Sequence, residues 1–171
     1  MKLIENVVLI IILSAAVFKD FQTDKIPNRL IFTGLITGLI FSYLIRGFPG
    51  LADGLAGCLL PALLLFILHI LSMLGAGDIK LFMTAGAFLG ARGSLLSITA
   101  AFFTGAVLSL TLMIKNRNLY NRLHYFMQYL KQLTFIHHSY PYYDLKQPRA
   151  QETIHFSLCI AIGSVISMLF L

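Results

Sequence analysis

The stretch LLPALLLFILHILSMLGAGDIKLFMTAGAF, residues 59–88, decides the fold. It consists of two strongly apolar runs joined by the tetrapeptide Gly75-Ala76-Gly77-Asp78. Apolar runs of this kind predict helices that cross a lipid bilayer. An ionisable side chain in such surroundings is costly, and acids within membrane segments usually have a function. Asp78 is therefore the first candidate for a functional residue.

The composition of the whole chain indicates the same class of protein. Hydrophobic residues make up 58% of its 171 residues and charged residues only 12%, whereas charged residues are about a quarter of a soluble domain. The mean hydropathy is +0.83. At about 20 residues per span, the length allows about six transmembrane helices. The prediction is an all-α integral membrane protein, a polytopic bundle of about six transmembrane helices that forms a single domain over residues 1–171.

The apolar runs give the positions of these helices to within a few residues. The predicted spans are residues 3–18, 29–45, 51–74, 76–91, 94–114 and 153–171. The polar segment 115–152 has hydrophobic positions that suit an amphipathic helix resting on the bilayer. A secretory signal peptide is an alternative for the first run, since Lys2 precedes it and Ser14-Ala15-Ala16 are small residues near its end.

The positive charges predict the orientation of the spans. Ten of them fall in loops on one side: Lys19, Lys25, Arg29, Lys80, Lys115, Arg117, Arg122, Lys131, Lys146 and Arg149. The other side keeps Lys2, Arg46 and Arg92. The positive-inside rule therefore assigns the first side to the cytoplasm and both chain termini to the outside. The net charge of +6 is interpreted as topology and attraction to lipid headgroups, and not as nucleic-acid binding.

A second acid, Asp20, ends the first predicted span, and Asp78 opens the fourth. Packing these two helices side by side would bring the carboxylates together at the cytoplasmic membrane boundary. Asp24 competes for the same role, but it lies four residues further from the membrane and is interpreted as a solvated charge beside Lys25. Asp53 belongs to the opposite face and is interpreted as a loop acid.

The residues around the two acids are candidates for supporting roles. Gly75 and Gly77 can adopt backbone conformations that are closed to other residues, and so let Asp78 face a wet cleft. Lys80 either supports the site or extends its ammonium group to the headgroups. Gly34-x-x-x-Gly38 and Gly86-x-x-x-Gly90 predict close helix packing, and Cys58 and Cys159 are expected in the packed core.

The combined pattern resembles a known family. Asp20-Phe21, then Ile26-Pro27-Asn28, then Gly75-Ala76-Gly77-Asp78-Ile79-Lys80-Leu81 are similar to the type IV prepilin peptidases of bacteria and the archaeal preflagellin peptidases. The last segment, from Ile154 through Gly163, resembles that family's final helix, although the prolines common there are absent. The resemblance makes Pro27 and Asn28, together with Gly75, Gly77 and Lys80, supporting residues of a site whose catalytic acids are Asp20 and Asp78.

This resemblance implies an aspartic endopeptidase that removes short basic leaders from prepilin-like precursors, such as pilins, pseudopilins or Flp-type proteins. It implies a multi-pass protein of the inner, cytoplasmic membrane, with the active site at the cytoplasmic face. Its partners would be these precursors and membrane lipids. Many bacterial relatives also carry a methylating domain with paired Cys-x-x-Cys motifs, which this sequence lacks, so cleavage without methylation is expected.

The expected chemistry follows from the pair of acids. Two nearby carboxylates cannot both ionise cheaply, so the pair shares one proton and contains both a base and an acid. The base activates a water molecule, and the acid donates to the developing oxyanion. No metal and no cofactor is expected. Either aspartate can carry the proton, because a coupled pair titrates as a unit.

Three alternatives belong to other classes or families. A proton-coupled transporter also uses membrane acids, but its sites usually lie near the midplane and between repeated halves. A noncatalytic pilus-assembly scaffold would share the fold but gives no reason for both acids. A presenilin-like protease shares the Gly-x-Gly-Asp pattern but would place its first acid within a span.

Overall fold

The computed structural model describes residues 2–71, 73–115 and 155–171, and these residues are almost entirely helical. The described residues form the helices α1 (Lys2–Thr23), α2 (Asn28–Ile70), α3 (Ala76–Lys115) and α4 (Phe156–Phe170). No strand occurs in the described residues, and the prediction of an all-α fold is confirmed. The amphipathic helix predicted in residues 115–152 lies outside them, apart from its first residue.

The chain divides into two compact units, residues 1–105 with 155–171, and residues 106–154. Within the second unit, α3 continues to Lys115, and the Thr111 hydroxyl donates a hydrogen bond to the carbonyl oxygen of Val107 at 3.0 Å. The first unit contains α1, α2, most of α3 and α4.

Helix α2 is interrupted at Gly47, which lies between the predicted spans 29–45 and 51–74. Gly47 has φ 67° and ψ −153°, a conformation that is almost restricted to glycine. Ser42 before the break and Gly54 after it both lie against the carbonyl oxygen of Ala87. In a straight helix these two residues would be about 18 Å apart along the axis. The chain therefore folds back at Gly47 and forms two helical halves.

Helix α3 has the same kind of interruption at Gly90, with φ 73° and ψ −177°. Gly86 before the break lies close to Ser94 after it, although eight residues of straight helix would separate them by about 12 Å. The predicted spans 76–91 and 94–114 are thus two halves of one α3. At Gly90 the glycine provides a backbone turn, and close helix packing is confirmed at Gly34, Gly38 and Gly86, where an added Cβ would meet a neighbouring helix.

The core forms around the first half of α3. Buried apolar side chains come from α1, the end of α2, both halves of α3, and α4: Leu9, Leu13, Ala16, Leu65, Ile79, Leu81, Phe82, Ala85, Phe88, Ile98, Ala101 and Ile160. Cys58 and Cys159 are also buried, as expected. This packing places the last turn of α1, the first turn of α3 and the start of α4 at one end of the unit.

The outer surface of the described helices is apolar. Residues such as Leu3, Phe48 and Leu63 are at least 75% exposed, and a monomeric soluble protein seldom exposes apolar surface so extensively. Two helices, α2 and Ala76–Leu112 of α3, are long and apolar enough to cross a membrane. Only 28% and 17% of their most apolar segments are buried, whereas the core helix of a soluble protein is mostly buried. These surfaces are suited to lipid.

Candidate active site

Asp20 lies in the last turn of α1, and the conformation of Asp24 ends this helix. Asp24 adopts a left-handed conformation, φ 51°, and its N–H donates to the carbonyl oxygen of Asp20 at 2.9 Å. Aspartate tolerates this conformation better than most residues, and such a residue commonly terminates a helix. The two side chains differ in exposure: 15% for Asp20 and 81% for Asp24. Asp20 therefore faces the protein and Asp24 faces outward.

Pro27 and Asn28 join α1 to α2. Pro27 is the capping residue before α2, with extended backbone at φ −63° and ψ 129°. Asn28 is the first residue of α2, and its Oδ1 accepts a hydrogen bond of 2.9 Å from Lys80 Nζ on α3. This contact ties the start of α2 to the first turns of α3. Among the sequence-predicted supporting residues, Lys80 and Asn28 therefore act as a pair.

The tetrapeptide containing Asp78 begins α3. The N–H of Asp78 donates to the carbonyl oxygen of Gly75 at 3.2 Å. A Cβ on Gly75 would lie 3.1 Å from Asp78 Oδ2, so a side chain there would crowd the carboxylate.

The expected backbone freedom of Gly75 and Gly77 is not used. Among the described residues, only Gly47 and Gly90 are glycines with positive φ. Gly77 belongs to the first turn of helix α3, where its conformation is open to other residues. A Cβ on Gly77 would meet Ile26 at 3.8 Å, an ordinary contact. The reason for a glycine at this position therefore lies neither in its backbone angles nor in crowding by the rest of the chain.

Asp20 and Asp78 line one cavity of about 280 Å³ at this end of the unit. Asp24, Lys25, Ile26, Asn28, Gly75, Gly77 and Lys80 complete its lining. Pro27 does not line it. A water molecule occupies about 30 Å³ in the liquid, so the cavity is large enough for several waters. The arrangement can therefore hold a nucleophilic water beside two carboxylates.

The structure adds two residues from α4 that the sequence analysis did not select. Ser157 Oγ donates a hydrogen bond of 2.6 Å to Asp20 Oδ2, and His155 Nδ1 lies 3.4 Å from the same oxygen. The two partners are separated from Asp20 by more than 130 residues of sequence. A serine within an apolar helix gives no signal of such a contact, because helical serines often donate to their own backbone.

Asp53, interpreted from the sequence as a loop acid, is instead a residue of α2 at the opposite end of the unit. Its Oδ2 accepts a hydrogen bond of 3.1 Å from Arg46 Nη1, and its Oδ1 accepts one of 3.0 Å from the N–H of Ala91. Ala91 is the first residue after the break at Gly90. Asp53 therefore caps the second half of α3 from another helix, and the loop interpretation was wrong.

The described parts of the chain contain no group of three or more His, Cys, Asp or Glu side chains that could hold a metal ion. Comparison with known proteins gives one match. The sequence model of the type IV leader peptidase family matches residues 7–110, which include both Asp20 and Asp78 but not α4. No curated protein and no solved structure matches the chain.

Proposed function

Since the chain belongs to the type IV leader peptidase family, we propose that it cleaves the leader from prepilin-like precursors with Asp20 and Asp78 as its catalytic pair. The observation that carries this proposal is the position of the two carboxylates, which line one cavity of about 280 Å³ although they lie on different helices. Family membership makes the protein a protease. Paired carboxylates are a sufficient machinery for peptide hydrolysis.

In the proposed reaction one carboxylate is ionised and the other carries a proton. The ionised carboxylate takes a proton from water as the water oxygen attacks the scissile carbonyl carbon. The protonated carboxyl group donates to the carbonyl oxygen, which stabilises the tetrahedral intermediate. The C–N bond then breaks, and the leaving nitrogen takes a proton from the acid that the first step created. The products are a free leader and a new amino terminus.

We propose that the two halves of α2, the two halves of α3, α1 and α4 are six membrane spans. A continuous α2 of 43 residues would be about 65 Å long, more than twice a hydrocarbon core of about 30 Å. The break at Gly47 makes two crossings of ordinary length possible. The chain ends support this arrangement, because Lys2 Nζ donates to the carbonyl oxygen of Leu171 at 3.0 Å, as expected of termini on one side.

We place the cavity at the cytoplasmic face of the inner membrane. Lys19, Lys25, Arg29 and Lys80 lie at its end of the helices, in agreement with the positive-inside rule. A prepilin-like precursor has a short basic leader before an apolar helix in the bilayer, so its cleavage point lies at that boundary. Asp24, exposed at the cavity, adds a third carboxylate on the side from which a basic leader would arrive.

The test is cleavage, in membranes, of a precursor with a basic leader, a glycine at the cleavage point and an apolar helix. Wild-type protein should release the leader, and Asp20→Asn and Asp78→Asn should each reduce the rate by at least about 100-fold, since acid–base groups contribute 10²–10⁴. The amide keeps the size of the side chain but cannot ionise. Full cleavage by either variant would refute the catalytic pair.

A further inference from the structure

The carboxylate of Asp20 is held by the last helix. Ser157 Oγ donates to Asp20 Oδ2 at 2.6 Å, a short distance typical of hydroxyl donors to charged oxygens. Ser157 has no exposed surface, so its hydroxyl does not exchange this partner for bulk water. Among the described residues, the contacts to Asp20 fall on Oδ2, which leaves Oδ1 available to a water molecule.

His155 lies near the same oxygen of Asp20, and a ring contact holds it there. Its Nδ1 lies 3.4 Å from Asp20 Oδ2, longer than a good hydrogen bond, and 3.9 Å from Asp24 Oδ1. Its ring lies against Phe21, with 4.2 Å between the ring centroids. Phe21 follows Asp20 in α1, so the ring contact also joins the start of α4 to the last turn of α1.

We propose that Ser157 is a positioning residue for Asp20, and that His155 assists it. This inference rests on the proposed function, because it assumes that Asp20 is catalytic. The hydroxyl fixes the rotation of the carboxylate about its last bond and directs Oδ1 to the water that attacks the substrate. Both positioning residues lie outside residues 7–110, the part of the chain that matches the leader peptidase family model.

The expected effect is on the chemical step. A displacement of about 1 Å at a reacting group can lower the rate by on the order of a hundredfold. Ser157→Ala should therefore lower kcat by about tenfold to a hundredfold. It should leave KM unchanged, because the Ser157 hydroxyl is directed to Asp20 and not to the substrate. A purely structural role would not separate kcat from KM in this way.

A matched control exists in the same helix. Ser167 is also fully buried, and its hydroxyl donates to the carbonyl oxygen of Gly93 at 2.8 Å, at the opposite end of α4. Ser167→Ala removes the same hydroxyl group from a buried site, where it donates to a backbone carbonyl and not to a carboxylate. It should leave kcat unchanged for the folded protein. His155→Phe keeps a ring against Phe21 and removes the nitrogen, and it should lower kcat less than Ser157→Ala does.

The assay is cleavage of a precursor that the wild-type chain processes, with kcat and KM measured per amount of folded protein in detergent or proteoliposomes. Asp20→Asn is measured alongside. If Asp20→Asn cleaves normally, the proposed catalytic pair fails. If Asp20→Asn is inactive but Ser157→Ala keeps its kcat, or if Ser167→Ala loses as much, the positioning role of Ser157 is refuted. A larger loss in His155→Phe would also overturn the assignment to Ser157.

Discussion

The two ends of the unit formed by residues 1–105 and 155–171 use their acids in different ways. At one end, Asp53 has fixed partners, since Arg46 and the N–H of Ala91 each donate to one of its oxygens. Arg46 also donates to Ser42 Oγ and to the carbonyl oxygen of Phe88. At the other end, Asp20 and Asp78 line an open cavity together. Two ionised carboxylates at one site would repel each other, whereas Arg46 and Asp53 carry opposite charges and attract each other.

The two ends differ in whether the partners of the acid lie within the folded chain. Asp53 closes a gap in the backbone hydrogen bonding that the break at Gly90 creates, so its role is complete within the folded chain. Asp78 instead faces the cavity, where water can enter. Asp53 thus differs from the proposed catalytic pair, because its partners lie within the folded chain, whereas Asp20 and Asp78 line a cavity together.

The strongest test of this comparison is to remove one acid at each end and to measure cleavage and stability for both variants. Asp78→Asn should lower cleavage by at least about 100-fold while the folded yield is unchanged. Asp53→Ala should lower the folded yield and leave the cleavage rate of the folded protein unchanged. Removal of a helix cap costs about 0.5–2 kcal/mol of stability, and Arg46 also loses one of its partners, but the surviving folded protein should cleave normally.

Thermal unfolding in detergent and cleavage per folded molecule measure the two effects separately. A folded, inactive Asp53→Ala variant would contradict the comparison, because it would place a catalytic function at the wrong end.

Two glycines provide a second and smaller contrast, between packing and substrate approach. At Gly34 an added Cβ would lie 2.6 Å from Thr84 Cγ2, so Gly34→Val should reduce folding. At Gly77 the nearest atom, on Ile26, is 3.8 Å away and the residue lines the cavity, so Gly77→Val should fold but cleave slowly. A loss on the order of a hundredfold is expected if the side chain displaces the substrate by about 1 Å.

Leader cleavage per amount of folded membrane protein separates these two glycines. Equal specific activity in Gly77→Val and wild type would show that substrate does not approach this glycine.

The sequence allowed prediction of the all-α fold because apolar composition leaves few alternatives in lipid. It also allowed selection of Asp20 and Asp78, since an acid next to an apolar run is rare enough to be noticed. It did not reveal the contacts that Asp53 and Ser157 make. Both make contacts to residues distant in sequence, Ala91 and Asp20, and such contacts depend on how the helices pack and not on any local pattern.

The glycines show a similar limit. Gly47 and Gly90 adopt the conformations that only glycine readily accepts, but nothing in the apolar pattern distinguishes them from Gly75 or Gly77. The sequence analysis therefore predicted unusual backbone angles at Gly75 and Gly77, whereas the structure has them at Gly47 and Gly90.

The smallest expected effect is at Asp24, which shares the cavity with the catalytic candidates but differs from them in exposure, at 81% for its side chain. Asp24→Asn should keep most of the cleavage activity, since an exposed acid is not required as base or acid. Stability should also be nearly unchanged, because asparagine accepts the left-handed conformation that ends α1.

Any loss of activity in Asp24→Asn should appear in KM, through weaker attraction of a basic leader, and should shrink as salt screens the charge. Measurement of kcat and KM at low and high salt tests this directly. An inactive Asp24→Asn together with a normal Asp20→Asn would transfer the first catalytic carboxylate from Asp20 to Asp24.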